Sequence, residues 1–173
     1  MKRLAIDLCC GSGGWTDGFL AEDFHVIGFD IMPFPSYAGD LVIQDIRTLD
    51  GRRFRDATVI LASPPCTEFS RLDMPWTRPI QRTRPDLSLV QACLRVSEEA
   101  GIPLVLENVR GLVGCWKPAV WHWGPYYLWG SGVPALMPGD RPRRSKESYP
   151  SSARAERARI PFVLANWVAR SYT

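Results

Sequence analysis

Apolar residues gather into short runs separated by polar turns, and several of the runs end beside an acid. Arg3 to Leu8 predicts a buried strand, a glycine-rich turn follows it, and Trp15 to Ala21 predicts a short helix. His25 to Phe29, closed by Asp30, predicts a second strand. Met32 to Gly39 holds two prolines and reads as a loop. Leu41 to Ile43 predicts a third strand, followed by Asp45. Ala57 to Ala62 predicts a buried fourth strand that runs into Ser63-Pro64-Pro65-Cys66, a loop because two prolines do not fit a central strand. Thr67 to Arg84 is polar, with arginines and prolines, and predicts a mobile surface loop. Asp86 to Ala100 predicts a helix, capped by Asp86 and ended by Gly101. Ile102 to Leu106 predicts another buried strand, ending at Glu107.

Strand and helix thus alternate over about the first 110 residues, which predicts an α/β fold with a parallel sheet and helices on both faces. Ligands of such sheets bind beyond the carboxyl ends of the strands. The glycine turn, Asp30, Asp45, Cys66 and Glu107 all fall there. After Glu107 the alternation stops. Trp116 to Trp129 holds six aromatics in fourteen residues, of which Trp121, Trp123, Tyr126 and Trp129 are expected to cover the last strands, most of them as core. From Asp140 to Arg159 there are seven basic residues and three acids, and the chain closes on a helix over 160–173 with Pro161 at its first position.

With 173 residues the chain fits one domain, 1–173, and leaves no room for a separate substrate-reading domain. Its 46% hydrophobic and 23% charged residues are those of a globular protein. The net charge is only +3, but three of the 21 basic residues are lysine and the rest arginine, the side chain that forks onto phosphates. Five cysteines at irregular spacing, with His25 and His122 far apart, predict free thiols and no metal site. No apolar run is long enough to span a membrane, and five free cysteines fit a reducing, cytoplasmic setting.

Asp7-Leu-Cys-Cys-Gly11-Ser-Gly13-Gly14 allows a sharp turn and close backbone approach to a ligand. The glycine spacing is not that of a pyrophosphate site. Asp30, 19 residues beyond Gly11, stands at the spacing of an acid that binds a ribose diol. A nucleoside-bearing cofactor follows, and S-adenosylmethionine fits. Cys66 sits on a stiff Pro-Pro loop suited to presenting a thiol, whereas Cys9, Cys10, Cys93 and Cys115 read as packing residues. Glu107, at a strand end among apolar neighbours, is suited to holding a proton.

These motifs resemble those of the cytosine-5 DNA methyltransferases. Asp7 to Gly14 is similar to that family's first cofactor motif, Ser63-Pro-Pro-Cys66-Thr-Glu-Phe-Ser70 to its nucleophile loop, and Glu107-Asn108-Val109 to its Glu-Asn-Val motif. Ala158 to Arg170 is similar to its closing motif. The resemblance implies a Rossmann-like S-adenosylmethionine-dependent methyltransferase sheet. It implies a cofactor site lined by Asp7, Cys9, Gly11, Gly13, Gly14, Asp30, Ile31, Asp45, Ile46 and Pro64. It implies Cys66 as nucleophile toward C6 of cytosine, Glu107 as proton donor at N3, and Pro65 and Asn108 as shapers of the loop.

The family's Gln-x-Arg-x-Arg motif is missing, and Arg141, Arg143 and Arg144 are the candidates for its work. No Gly-Asn precedes the closing helix, and position 67 is Thr where the family commonly has Gln. The separate target-recognition domain is also missing, with 116–159 as a reduced aromatic and basic substitute. Target reading is then short or lent by a protein partner. The compactness suggests a phage or prophage source, and a restriction-modification setting is expected. The expected substrate is DNA. Single-stranded DNA, RNA or a free cytosine nucleotide is the alternative, and a catalytically silent nucleic-acid- or partner-binding relative is the rival from another class.

Overall fold

The computed structural model describes residues 2–72, 84–135 and 159–173. Among these residues seven strands form one sheet: β1 Leu4–Leu8, β2 His25–Asp30, β3 Asp40–Ile43, β4 Val59–Ala62, β5 Leu104–Asn108, β6 Trp121–Trp123 and β7 Tyr126–Trp129. Their order is β3-β2-β1-β4-β5-β7-β6. β1, β2, β3, β4 and β5 pair in parallel, and β7 runs antiparallel to both of its neighbours. Strand β5 is buried throughout and rich in branched and long apolar residues, as a central parallel strand must be.

Among the described residues four helices flank the sheet: α1 Gly14–Leu20, α2 Thr67–Leu72, α3 Ser88–Ala100 and α4 Phe162–Arg170. Alternate strand residues feed two cores. On one face Ile6, Leu8, Ile60 and Leu106 meet Phe69 of α2 and Val90, Cys93 and Val96 of α3. On the other, Ala5, Leu61 and Val105 meet Trp15 and Phe19 of α1 and Leu164 and Val168 of α4. Helices therefore cover both faces, as the alternation predicts. No helix among the described residues is long and apolar enough to cross a membrane.

Three local expectations are corrected. Residues 67–72 are helical rather than part of a loop: the Cys66 carbonyl accepts the Ser70 N–H at 2.8 Å, and buried Phe69 anchors the turn. The rest of that stretch, 73–83, lies outside the described residues. Pro161 precedes α4 in an extended conformation, ψ 138, and is its cap rather than its first residue; its carbonyl accepts the Ala165 N–H. The aromatics from Trp121 to Trp129 do not cover the last strands but form them, as β6 and β7, with Trp123 and Trp129 buried. Helix α3 does end at Gly101, whose φ of 70 suits a residue without Cβ.

Candidate active site

The chain leaves β1 through a tight turn. Cys9 and Gly11 take left-handed conformations, φ 54 and 52, and Gly13 a third, φ 83. A Cβ on Gly14 would come within 2.6 Å of the Ile160 backbone, so the turn is clamped against the segment leading into α4. Arg159 strengthens that contact by pairing with Asp17 of α1. A Cβ on Gly11, in contrast, would meet nothing within 4 Å: the turn faces open space there.

Asp30, at the end of β2, reaches across to this turn. Its Oδ2 accepts the Gly11 N–H at 3.0 Å and its Oδ1 accepts the Met32 N–H at 3.0 Å. Each carboxylate oxygen keeps acceptor capacity for hydroxyls. Ile31 beside it is 64% exposed, an apolar surface next to an acid at the edge of the open turn. This combination fits a nucleoside. Asp45 and Ile46 are arranged differently. Both Asp45 oxygens are held by the Arg47 guanidinium, and Ile46 lies in the core at 2% exposure.

Behind the turn is a buried polar cluster that sequence reasoning passes over. The Thr16 hydroxyl donates to Asp7 Oδ2 at 2.8 Å and lies 2.6 Å from the Tyr37 hydroxyl. Tyr37 comes from the loop between β2 and β3 and fills the space a Cβ would take on Gly28. Asp7 Oδ1 has no hydrogen-bond partner. Burial, opposed by Thr16, raises the Asp7 carboxyl to about 7. Only the run of residues without large side chains at Gly13, Gly28 and Gly39 could have signalled that a ring lies over them.

The second half of the site stands on β4 and β5. Pro64 is buried, Pro65 exposed and Cys66 half-buried, so the loop emerges from the sheet just before the thiol. Asn108, buried at the end of β5, donates from Nδ2 to the Pro64 carbonyl at 2.8 Å. The turn after β5 presses on α2: a Cβ on Gly111 would meet the Phe69 carbonyl at 1.9 Å. Glu107 is 8% exposed, and burial raises its carboxyl to about 8, opposed by a hydrogen bond from Ser63. Burial therefore favours its protonated form.

All five cysteines are free thiols. Cys9 is pushed up by hydrogen bonding with Cys93 and by burial, Cys10 chiefly by burial, and Cys115 by burial, so none of the three is a ready thiolate. The packing reading of those residues agrees with this. The structure thus brings Asp7, Cys9, Gly11, Gly13, Gly14 and Asp30 to one corner, and Pro64, Pro65, Cys66, Glu107 and Asn108 to the neighbouring strand ends. Arg141, Arg143 and Arg144 lie outside the described residues.

A sheet of this order with one reversed strand next to the edge is that of the methyltransferases that use S-adenosylmethionine. Within that class the chain belongs to the C-5 cytosine-specific DNA methylase family, whose model matches residues 4–120. That match runs from β1 up to β6 and takes in both halves of the site. No curated protein sequence matches the chain. Among solved structures it is similar to one described as a DNA modification methyltransferase encoded within an E. coli prophage. The identity is 21% over 64% of this chain and 33% of the other, with a TM-score of 0.45. It is similar also to the S. pombe Dnmt2 methyltransferase, at 18% identity over 68% of this chain and 37% of the other, with a TM-score of 0.45. The antibiotic-resistance methyltransferase Kmr gives 17% identity over 62% and 59%, with a TM-score of 0.36. The chain covers about a third of the length of the first two.

Proposed function

We propose that this chain methylates C5 of cytosine in DNA through a covalent bond between Cys66 and C6. One observation carries the reading: Asn108, next to the buried Glu107, holds by its hydrogen bond to Pro64 the loop on which Cys66 sits. A nucleophile and an acid are thereby tied to adjacent strand ends. S-adenosylmethionine, when bound, supplies an electrophilic methyl group; Asp30, Ile31 and the Gly11 turn are the residues that would hold its nucleoside.

The chain's own residues would act as follows. Cys66, as thiolate, adds to C6. Glu107 gives its proton to N3, which places electron density on C5 for methyl capture. Loss of the C5 proton to water, expulsion of the Cys66 thiolate and return of the N3 proton to the Glu107 carboxylate then restore the aromatic ring and the enzyme. The ring face must be open to the thiol, so a cytosine in a duplex has to leave the stack. Arg141, Arg143 and Arg144 would hold phosphates, with a protein partner supplying further target reading.

The test uses methyl-labelled S-adenosylmethionine with duplex DNA, single-stranded DNA, tRNA and dCMP in separate reactions. Label on DNA that is lost in Cys66→Ala supports the proposal. Label on tRNA or dCMP alone moves the chemistry to another substrate and overturns the DNA assignment. No label on any of them, with cofactor still bound, overturns the enzyme reading.

A further inference from the structure

Nine residues, 31–39, join β2 to β3, which pair side by side in parallel. Parallel neighbours are usually joined by a dozen or more residues folded as a helix, which then covers that part of the sheet. Here the connection holds no helix, and six of its nine residues are exposed. Phe34, Tyr37 and Gly39 are its half-buried members. The Phe34 carbonyl accepts the Tyr37 N–H at 2.9 Å, closing a turn with Pro35 in second place, the position whose backbone angle proline presets. That stiff turn delivers the Tyr37 ring back onto the sheet.

The ring lands in a slot lined by glycines from three parts of the chain. A Cβ on Gly13 of the glycine turn would stand 3.2 Å from it, and one on Gly39 3.0 Å. Its hydroxyl lies where a Cβ on Gly28 of β2 would be. That hydroxyl is 2.6 Å from Thr16 Oγ1, which donates to Asp7 Oδ2 at 2.8 Å, and Thr16 and Asp7 are both fully buried. Either hydroxyl can donate in the 2.6 Å contact, so the tie exists in both arrangements. A line of contacts therefore runs from the connection through α1 to β1. We propose that Tyr37 is a positioning residue for the nucleoside half of the site: it stands in for a crossover helix and latches residues 31–39 to the glycine turn and α1. The ligand assigned to that half rests on the methyltransferase reading, whereas the latch itself does not.

The segment held in this way begins at the residues that face the open turn. Asp30 accepts the Gly11 and Met32 N–H groups, and Ile31 and Met32 are 64% and 55% exposed. Pro33 is exposed as well, so the packing of these side chains does little to fix the edge they form. The next fixed points along the chain are Phe34 and Tyr37. Without the ring and its hydroxyl the connection is tied chiefly at its two strand ends, and Met32 loses the support that keeps it beside Asp30. A ligand that needs this edge in place must then order it on binding, which lowers affinity.

The experiment follows amide hydrogen exchange by nitrogen-15 NMR on the full chain, at the Gly11 and Met32 N–H groups that Asp30 accepts. Tyr37→Phe keeps the ring and removes the hydroxyl. It is expected to speed exchange at both amides by about three- to tenfold, the loss of one ordinary hydrogen bond. Tyr37→Ala also empties the slot and is expected to speed it by a further factor of about ten or more. A tyrosine that only adds to overall stability would lower the unfolding midpoint in denaturant and leave these two amides at the wild-type rate, and that result overturns the proposal. If Tyr37→Phe does not fold, Thr16→Val, which removes the other hydroxyl of the contact, decides on the same amides: unmoved exchange there overturns the latch. Calorimetric titration with S-adenosylhomocysteine, the demethylated form of the cofactor, reads the consequence. Tyr37→Ala is expected to bind it at least about tenfold more weakly than the wild type, and equal affinity overturns the positioning role. A wild type that does not bind this probe refutes the cofactor reading, and the amide exchange still decides the latch.

Discussion

The Asn108 carboxamide donates to the Pro64 carbonyl at 2.8 Å, inside the protein, so the strand that presents Glu107 also fixes the loop that presents Cys66. The same side chain accepts the Val109 N–H at 2.9 Å through Oδ1, so it cannot swing away without losing two bonds. Position of the thiol relative to the acid is therefore set by one amide.

Asn108→Ala leaves the buried Pro64 carbonyl without its partner, which costs about 1–3 kcal/mol. Freed motion of the loop should lower kcat for methyl transfer by about 100-fold, because misplacement of a reacting group by about 1 Å has that effect. Denaturant unfolding and single-turnover transfer read the two effects separately. Wild-type kcat in a correctly folded Asn108→Ala protein would contradict the role.

Glu107 carries a pH signature. Its carboxyl titrates at an ordinary 4.5 when the chain is unfolded and at about 8 when buried. The folded state holds the proton more tightly, so this group weakens the fold as pH rises between those two values, and the cost is absent below the lower one. Glu107→Gln removes the ionisation. It should leave stability nearly unchanged at acid pH and raise the unfolding midpoint relative to wild type by several degrees at alkaline pH. It should also lower methyl transfer by orders of magnitude. A stability difference that does not grow with pH would contradict the buried acid.

Helix α4 approaches α1 so closely that a Cβ on Gly18 would sit 2.4 Å from the Asn166 backbone nitrogen. Backbone cannot step aside as a flexible side chain can, so Gly18→Ala should cost about 1–3 kcal/mol. Gly114→Ala is the matched control, since its Cβ would have an ordinary contact at 3.8 Å. Equal stabilities of the two variants would contradict the close docking of α4.

At the other end of the site, Asp30→Ala removes the acceptor for both the Gly11 and Met32 N–H groups. Loss of a carboxylate acceptor for ribose hydroxyls should weaken S-adenosylmethionine binding by more than about tenfold, since hydrogen bonds to charged groups contribute about 1.5–3 kcal/mol. Calorimetric titration on the folded variant reads this. Unchanged affinity would remove Asp30 from the cofactor site.

The five parallel strands were legible because each is a short apolar run closed by polar residues, and the placing of Glu107 at the end of β5 and of Cys66 on the loop after β4 follows from two of those runs. The helical turn at 67–72 was hidden: its single buried anchor, Phe69, gives no periodicity, and the polar residues around it look like a loop. The strands β6 and β7 were hidden by aromatics that serve equally well in strands and as a cover over them. Ser63, Trp15 and Tyr37 could not be found from spacing. Their partners lie 48 residues apart for Trp15 and Ser63, and 21 for Thr16 and Tyr37, and only the fold brings those chains together. Asp45 shows the reverse case, an acid in a telling position whose charge is held by Arg47 two residues away.

The central claim is a covalent bond from Cys66 to C6 of cytosine. An oligonucleotide carrying 5-fluorocytosine blocks loss of the C5 substituent, so the adduct should accumulate when protein, S-adenosylmethionine and this DNA are combined. Intact-mass measurement is predicted to show one protein joined to one oligonucleotide, with the bond mapped to Cys66 and no adduct from Cys66→Ala. An absence of adduct in the wild type, or one that persists in Cys66→Ala, would contradict the account.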